Sequence, residues 1–203
     1  MQFATFHDLE DQSVFITGGG SGIGADLTKG FLSQGAKVTF VQRSNPEKFL
    51  AECEGKYKYE PTFIKCDVSH IEELKIALQT TAKEQGAVTV LVNNAANDTR
   101  HTLDEFTSQQ WDQTMEVNLK PHFFAAQEVV EGMKISGGGS IINFSSISYM
   151  MGNEGYPAYA TAKSAITGLT RSLARELGPH SIRVNAIMPV SYTHLTLPTS
   201  NDV

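Results

Sequence analysis

The stretch VFITGGGSGIG, residues 14–24, decides the fold of this chain. Its first part, Val14–Thr17, is the short apolar run typical of a buried strand, and a helical pattern begins at Gly22. Glycines at 18, 22 and 24 let the backbone turn sharply and approach a pyrophosphate, whose charge would lie on the free N–H groups of the helix N-terminus. A tight turn without a ligand uses the same residues, but the flanking strand and helix favour a dinucleotide-binding loop.

The rest of the chain alternates short β-branched or apolar runs with longer segments of helical period, which predicts βαβ units. The predicted strands are Val14–Thr17, Lys37–Gln42, Thr62–Lys65, Val88–Asn93, Ser140–Phe144 and Arg183–Ile187. The predicted helices are Gly22–Gln34, Pro46–Glu54, Ile71–Gln85, a long helix Ser108–Lys134, and Pro157–Gly178. Because right-handed crossovers place helices on both faces, we predict an α/β fold with a doubly wound parallel sheet, Rossmann-like, in one domain over residues 1–189.

Composition narrows the class of protein. The 203 residues carry 16 Lys+Arg against 22 Asp+Glu, a net charge of −6, which disfavours the cationic surface that nucleic acid or an anionic membrane requires. Cys53 and Cys66 are too few for a disulfide framework and lack metal-ligand spacing, so we expect reduced thiols and no metal. Residues 1–11 lack the pattern of a signal peptide, and no stretch approaches the ~20 apolar residues of a membrane span. We therefore expect a cytoplasmic protein that acts on a small molecule.

Tyr159 and Lys163 lie four residues apart at the start of a predicted helix, and therefore on one face of it. A phenol with a pKa of about 10 is a poor base, but a nearby ammonium favours the phenolate and lowers that pKa. Such a pair can take a proton from an alcohol as hydride leaves. Tyr-x-x-x-Lys alone is usually two solvated side chains.

Ser145 and Ser146 follow the predicted strand that ends at Phe144. The carboxyl edge of a parallel sheet is where ligands bind, so a serine hydroxyl there could hold a substrate oxygen. A serine-rich turn that caps the next segment is the alternative.

Taken together, these motifs resemble the short-chain dehydrogenase/reductase family. They occur in the family's order and spacing: Thr17–Gly24, Asn93-Asn94-Ala95-Ala96, Asn118, Ser146, and Tyr159 with Lys163. The resemblance covers nearly all of the chain from Leu9 to Pro189, with Ala96 in place of the family's usual glycine. It implies an NAD(P)-dependent oxidoreductase that acts on CH–OH groups.

The resemblance also implies roles for individual residues. Tyr159 is the acid/base, Lys163 lowers its pKa and holds the nicotinamide ribose, Ser146 polarises the substrate oxygen, and Asn118 supports a water of the proton relay. Ser146 is chosen over Ser145 because its interval to Tyr159 matches the family. The expected cofactor-binding residues are Gly18, Gly20, Ser21, Gly22, Ile23, Gly24, Gln42, Arg43, Asp67, Val68, Asn94, Ala95, Tyr159, Lys163 and Pro189.

Gln42 and Arg43 bear on the choice of cofactor. Gln42 ends the second predicted strand, where an NAD-specific enzyme usually has an acid for the ribose 2'-hydroxyl. Arg43 can give a 2'-phosphate a charge-assisted hydrogen bond, which predicts a preference for NADP over NAD. An ordinary solvated arginine is the alternative.

The segments expected to flank the reacting centre are rich in short polar side chains. Candidate substrate-binding residues are Asn97, Ser146, Ser148, Asn153 and Glu154. They suit a polyol, since each desolvated sugar hydroxyl needs a partner, and these segments resemble those of bacterial aldose 1-dehydrogenases. The alternative is that these residues form an ordinary surface loop, which is polar only because it is exposed to water.

The first alternative function is a 3-oxoacyl-thioester (acyl-carrier-protein) reductase or another ketoreductase, and the second is a non-catalytic dinucleotide-binding protein. Arg171 and Arg175 could form the docking patch that an acidic carrier protein needs, although Glu176 weakens it. A binding-only relative would be free to lose Tyr159. The resemblance further implies a homotetramer built through the long helix and the Tyr159 helix.

Residues 190–199, VSYTHLTLPT, have neither helical nor strand period. They resemble the translation of a transposon-end sequencing adaptor, so we expect residues 190–203 to be a non-native tail. The family's lid, last strand and last helix would then be absent, and we expect the 203-residue chain itself to be poorly stable and inactive.

Overall fold

Six parallel strands form one sheet in the structure, a computed structural model that describes residues 4–190. They are β1 Ser13–Thr17, β2 Lys37–Gln42, β3 Thr62–Lys65, β4 Val90–Asn93, β5 Gly139–Phe144 and β6 Ile182–Ile187. Their order, β3-β2-β1-β4-β5-β6, with each neighbouring pair parallel, confirms the prediction of a doubly wound sheet. The order reverses between β1 and β4, where ligands bind in folds of this kind.

Helices cover both faces of this sheet. They are α1 Gly22–Ser33, α2 Glu47–Cys53, α3 Ile71–Gln85, α4 Ser108–Asn118, α5 Lys120–Ile135, α6 Ser148–Met151 and α7 Pro157–Leu177. On one face Phe15 lies in a cluster with Leu78 of α3 and Leu177 of α7, and on the other Ile16 lies in a cluster with Leu32 of α1. Because successive strand residues point to opposite faces, every residue of β1 is buried.

The long helix predicted over Ser108–Lys134 is wrong, because the structure has two helices that meet at Leu119. Leu119 leaves helical geometry with φ −129° and ψ −54°. Pro121, in the first turn of α5, has no backbone N–H, and its ring excludes the carbonyl of the residue four positions earlier. The break places Asn118 at the end of α4. Smaller differences are that β4 begins at Val90 and that α6 was not predicted.

The expectation of a non-native tail falls on residues 190–203, of which only Val190 lies within the described part of the chain. None of the helices between residues 4 and 190 combines the length and apolar character that crossing a membrane demands.

Two positions of α3 test the placement of this helix against the sheet. Leu78 is 1% exposed and Ile76, on the same helix, is 61% exposed. Leu78→Ala should lower the free energy of unfolding by about 2–5 kcal/mol because it removes buried methyl groups and leaves a cavity. Ile76→Ala, the matched control, should change it by less than about 0.5 kcal/mol. Urea unfolding followed by circular dichroism measures both, and equal stabilities of the two variants would contradict the packing described.

Candidate active site

A cleft of about 980 Å³ opens at the carboxyl ends of β1, β2 and β4. Most of the residues expected to bind a dinucleotide line it: Gly18, Ser21, Gly22, Ile23, Gly24, Gln42, Arg43, Asp67, Val68, Asn94 and Ala95. Tyr159, Lys163 and Pro189 line a second, adjoining cavity instead. Gly20 lines neither cavity.

The glycines of the loop fit the backbone approach that a diphosphate requires. A Cβ at Gly24 would collide with the carbonyl oxygen of Gly18, so only glycine lets α1 begin against β1. At Gly22, where φ is +49°, a Cβ would meet no other atom within 4 Å, so the wall of the cleft is bare backbone there. This arrangement leaves room for an anion at the start of α1.

Gly20 was expected to bind the cofactor, but in the structure its backbone contacts Gln42 instead. Its N–H donates to Oε1 of Gln42 at 3.0 Å, and Nε2 of Gln42 donates to the carbonyl of Ser44 at 2.9 Å. A Cβ at Gly20 would press on Gln42 and Phe40. Gln42 therefore fastens the loop to the end of β2, which its position in the sequence did not reveal.

Asp67 and Arg43 lie at the same end of the cleft. Partial burial raises the pKa of the Asp67 carboxyl, but hydrogen bonds from the Ser69 hydroxyl and N–H, together with the charge of Arg43, outweigh it and hold the pKa below its ordinary value. The carboxylate is thus charged and ready to accept a hydrogen bond at neutral pH.

The second cavity has a volume of about 350 Å³ and is lined by Ser146, Tyr159 and Lys163. Both cavities are also lined by one shared set of residues, which joins them: Ile23, Asn94, Ala96 and Asp98. A ligand in the large cleft would therefore meet a small molecule held against Tyr159.

Burial dominates the acid–base chemistry of Tyr159. It raises the pKa of the phenol, the Ser146 hydroxyl acts in the opposite direction, and the carboxylate of Asp98 adds a smaller upward contribution. The sequence-based expectation was a pKa lowered by Lys163. In the structure the Lys163 ammonium lies 5.7 Å from the centre of the Tyr159 ring, and desolvation of the phenol outweighs any help from it.

Lys163 is 1% exposed and donates from Nζ to the carbonyl of Phe144 at 2.7 Å. Burial lowers the pKa of this lysine to about 8. His122 of α5 lies nearby, and its own burial, followed by the charge of Lys163, lowers the pKa of the imidazole to about 3. His122 is therefore neutral beside the ammonium, a feature that the sequence analysis missed.

Ser145 and Ser146 both line the small cavity, but their hydroxyl groups have different hydrogen-bond partners. The Ser145 hydroxyl donates to the carbonyl of Lys163 at 2.6 Å and is buried, so it ties α7 to the end of β5. Ser146 lines the cavity and its hydroxyl oxygen accepts the N–H of Ser148 at 3.2 Å. The Ser145 hydroxyl is thus engaged with the backbone, and Ser146 as the residue that polarises the substrate oxygen stays a prediction.

Asn118 is fully buried and brackets the backbone of Asn97. Its Oδ1 accepts the N–H of Asn97 at 2.9 Å, and its Nδ2 donates to the carbonyls of Asn97 and Thr114, both at 3.0 Å. The side chain of Asn118 is thus engaged in holding the loop after β4, and it does not line the cavity that contains Tyr159.

The candidate substrate residues are not all brought together. Asn153 lines the small cavity, and so does Ser148, although the hydroxyl oxygen of Ser148 is covered by protein. Asn97 lines the large cleft. Glu154 lines neither cavity, and its carbonyl accepts a hydrogen bond from Arg100 at 3.2 Å.

Asp98, Arg100 and Tyr156 line the small cavity and were not proposed as site residues. The Arg100 guanidinium lies 4.0 Å from the centre of the Tyr156 ring, which holds it against the cavity wall. The available signal was the position of Asp98 and Arg100 after β4, and of Tyr156 in the segment after β5, at the carboxyl edge of the sheet.

Comparison with known proteins agrees with this geometry. The sequence profile of the short chain dehydrogenase family matches residues 12–199. A probable galactose dehydrogenase, GalD of Rhizobium meliloti, is 48% identical over 187 residues, which are 91% of this chain and 73% of the relative. D-xylose 1-dehydrogenase of Caulobacter vibrioides is 45% identical over 190 residues, 93% of this chain and 75% of the relative.

A solved structure has a similar fold. The aldohexose dehydrogenase of Thermoplasma acidophilum, in ligand-free form, matches with a TM-score of 0.81 and 32% identity, covering 92% of this chain and 69% of that one. Since the family profile spans nearly the whole sequence and the relatives are close to half identical, the chain belongs to the short-chain dehydrogenase family of NAD(P)-dependent oxidoreductases.

Proposed function

We propose that this protein is an NAD(P)-dependent aldose dehydrogenase that oxidises the anomeric hydroxyl, or a secondary hydroxyl, of a sugar. The observation that carries the proposal is the small cavity in which Ser146, Tyr159 and Lys163 converge and which opens onto the glycine-lined cleft. The names of the relatives, which are galactose, xylose and aldohexose dehydrogenases, support the same class of substrate.

In the proposed mechanism the Ser146 hydroxyl donates a hydrogen bond to the substrate oxygen and orients it. Tyr159 Oη takes the proton from the substrate hydroxyl in oxidation and returns it in reduction. When bound, NAD(P)⁺ supplies the acceptor for the hydride that leaves the same substrate carbon. Gly22, Gly24 and Asp67 would hold its phosphates and adenine end, and Lys163 its nicotinamide ribose.

Lys163 also has an electrostatic role in the proposal. Burial raises the pKa of Tyr159, so its phenolate needs a positive charge nearby before it can act as a base. The lysine is held inside the protein by the Phe144 carbonyl, where a charge interacts more strongly than in water. Asn118 acts indirectly in the proposed mechanism. Its side chain holds the backbone of Asn97 and so fixes the loop in which Asp98 lines the small cavity.

The polar wall of the small cavity supports a sugar. Asn153 and Asp98 offer an amide and a carboxylate, and Arg100 offers guanidinium donors held on the Tyr156 ring. Each hydroxyl of a desolvated aldose needs such a partner, and a site that supplies them rejects analogues without those hydroxyls.

A 3-oxoacyl-thioester reductase is the second candidate function. Met151 lines the same cavity and is 63% exposed, which would suit an acyl chain better than a polyol. Arg171 and Arg175 are exposed on α7, as a docking patch for an acidic carrier would require.

Replacing the proposed acid/base isolates its chemistry. In the full-length protein, Tyr159→Phe should lower kcat by about 10²–10⁴-fold and leave NADPH affinity nearly unchanged, because it removes one hydroxyl from the cavity. Tyr149→Phe is the matched control, since the Tyr149 hydroxyl bonds to Thr167 outside both cavities. Turnover is followed at the nicotinamide absorbance. If Tyr159→Phe kept most of its turnover, the assignment would fail and a non-catalytic role would gain support.

The proposal includes a preference for NADP over NAD, and this preference depends on Arg43. Wild-type protein should have a higher kcat/KM with NADP⁺ than with NAD⁺, and Arg43→Ala should reduce that ratio by about 10- to 100-fold through loss of a charged hydrogen bond to the 2'-phosphate. Arg183→Ala, an exposed arginine on β6 away from the cleft, is the control. A higher kcat/KM with NAD⁺ would show that Arg43 is an ordinary surface residue.

A substrate panel separates the two candidate functions. The full-length protein should oxidise pentoses or hexoses to lactones and leave an acetoacetyl thioester unreduced, because the cavity offers hydrogen-bond partners for hydroxyls. Initial rates at the nicotinamide absorbance, with product identified by mass spectrometry, give the answer. Rapid thioester reduction without aldose oxidation would overturn the sugar assignment.

Assembly, location and chain organisation remain proposals. Trp111 on α4 and Phe123 on α5 are both exposed, at 42% and 45%, which supports the homotetramer implied by the family resemblance. A cytoplasmic location rests on the sequence alone. The assignment of residues 1–189 to one NAD(P)-binding domain and of 190–203 to a non-native tail is tested by resequencing the locus.

A further inference from the structure

The loop after β4 is fastened to the segment that precedes α7. The His101 N–H donates to the carbonyl of Gly155 at 2.8 Å, and Nη1 of Arg100 donates to the carbonyl of Glu154 at 3.2 Å. The Arg100 guanidinium lies on the ring of Tyr156. Two consecutive residues of the loop therefore hold three consecutive residues ahead of the helix that carries Tyr159 and Lys163.

The imidazole of His101 makes a further contact with the helix itself. Its Nδ1 lies 3.2 Å from the carbonyl oxygen of Thr99, which can only accept, so Nδ1 carries the proton. Nε2 then has a free electron pair and accepts the N–H of Ala158 at 3.3 Å. This pair of hydrogen bonds assigns the neutral tautomer with its proton on Nδ1.

The plane of the His101 ring is fixed as well. It stacks on Phe106 with 3.7 Å between the ring centres and 18° between the planes. The acceptor of the hydrogen bond to Ala158 is thus held by the ring of Phe106, by the carbonyl of Thr99 and by the backbone bond to Gly155.

The N–H of Ala158 needs such an acceptor. The first N–H groups of a helix have no intrahelical partner, and a Ser, Thr, Asp or Asn at the N-cap usually satisfies one of them. Here the N-cap is Tyr156, whose side chain makes no capping hydrogen bond within the described residues, and Pro157 follows it. The acceptor comes instead from His101, 57 residues earlier in the chain.

Ala158 directly precedes Tyr159, so this contact acts on the turn of α7 that carries the phenol. We propose that His101 is a positioning residue for Tyr159, in that its neutral imidazole caps α7 and fixes the first helical turn against the loop that lines the substrate cavity. The proposal rests on the proposed function, in which Tyr159 is the acid/base. The hydrogen bond between Ala158 and His101 is itself no part of that acid–base chemistry.

Two substitutions in the full-length protein separate the hydrogen bond from the packing. His101→Phe keeps a flat ring to stack on Phe106 but has no acceptor. His101→Gln lacks the ring, yet its Oε1 reaches about as far from the backbone as Nε2 and can accept the same N–H. A purely packing role predicts that the phenylalanine variant is the better of the two, and a positioning role through the hydrogen bond predicts the reverse.

For catalysis we expect His101→Phe to lower kcat by about 10- to 100-fold, because a small displacement of an acid/base is costly. KM for the cofactor should stay unchanged, since neither His101 nor Ala158 lines the large cleft. His101→Gln should recover most of the kcat. A His101→Phe protein with wild-type kcat, or a His101→Gln protein as slow as His101→Phe, would overturn the proposal.

Amide hydrogen exchange followed by NMR gives a readout that does not depend on activity. The Ala158 amide should exchange faster in His101→Phe than in the wild type and in His101→Gln, while the amide of Ile166, inside the same helix, should exchange equally in all three. Equal exchange of Ala158 in the wild type and His101→Phe would overturn the proposal. If the wild type oxidised no aldose, the proposed function alone would fail, and the exchange at Ala158 would still decide the role of His101.

Discussion

The site depends on how the ends of β1 and β4 are held at the point where the strand order reverses. The Thr17 hydroxyl oxygen accepts the N–H groups of Asn94 and Ala95 at 2.9 and 3.0 Å, and Nδ2 of Asn94 donates to the carbonyls of Thr17 and Gly18. Strands that diverge beyond this point would otherwise leave those backbone groups unpaired. The same bonds fix the carbonyl of Gly18, against which Gly24 packs at the start of α1. The floor of the large cleft is therefore held in place by hydrogen bonds within the protein itself.

A second set of buried hydrogen bonds connects β4 to β5 and β5 to α7, the helix that contains the proposed acid/base. Nδ2 of Asn93 donates to Oδ1 of Asn143 at 2.9 Å, and Nδ2 of Asn143 donates to the hydroxyl of Thr170 at 3.0 Å. Together with the bond from Ser145 to Lys163, these contacts fix α7 relative to β4 and β5. A shift of the helix would break these bonds and leave buried polar groups unpaired, which is costly, so they fix its position along the sheet. That position places Tyr159 in the wall of the small cavity, which adjoins the large cleft.

The sheet and the large cleft could be predicted from the sequence because their signals are local. A buried strand, a glycine turn and a helix start are each encoded within a few residues, as in residues 14–24. Ser146 could be placed near the site because it follows a strand whose carboxyl end lies at the ligand-binding edge. Tyr159 and Lys163 lie within a helix, and only the family resemblance assigned them to the same site as Ser146. Pro121 is a local signal for the break at Leu119. The prediction of one long helix followed the helical period of the surrounding residues instead.

Other features could not be predicted because they depend on contacts between distant segments. The bond between Gly20 and Gln42 joins residues 22 positions apart, and the one between His101 and Ala158 joins residues 57 apart. Nothing near Glu154 indicates that its side chain stays outside the cavities. The burial of Lys163 was equally hidden, since a lysine at the start of an amphipathic helix is ordinarily solvated.

The burial of Lys163 lowers the free energy of unfolding of the protein. A lysine whose pKa falls from 10.5 to about 8 on folding binds its proton less tightly in the folded state. Below pH 8 the difference destabilises the folded chain by about 3 kcal/mol, since one pKa unit corresponds to 1.36 kcal/mol. The penalty decreases as pH rises from about 8 to 10.5, where the unfolded chain also loses the proton. Neutral His122 adds no second charge, and the Phe144 carbonyl partly compensates the ammonium. In the proposed mechanism this cost is offset by function, because an ammonium at this position favours the phenolate of Tyr159 against the desolvation that raises its pKa.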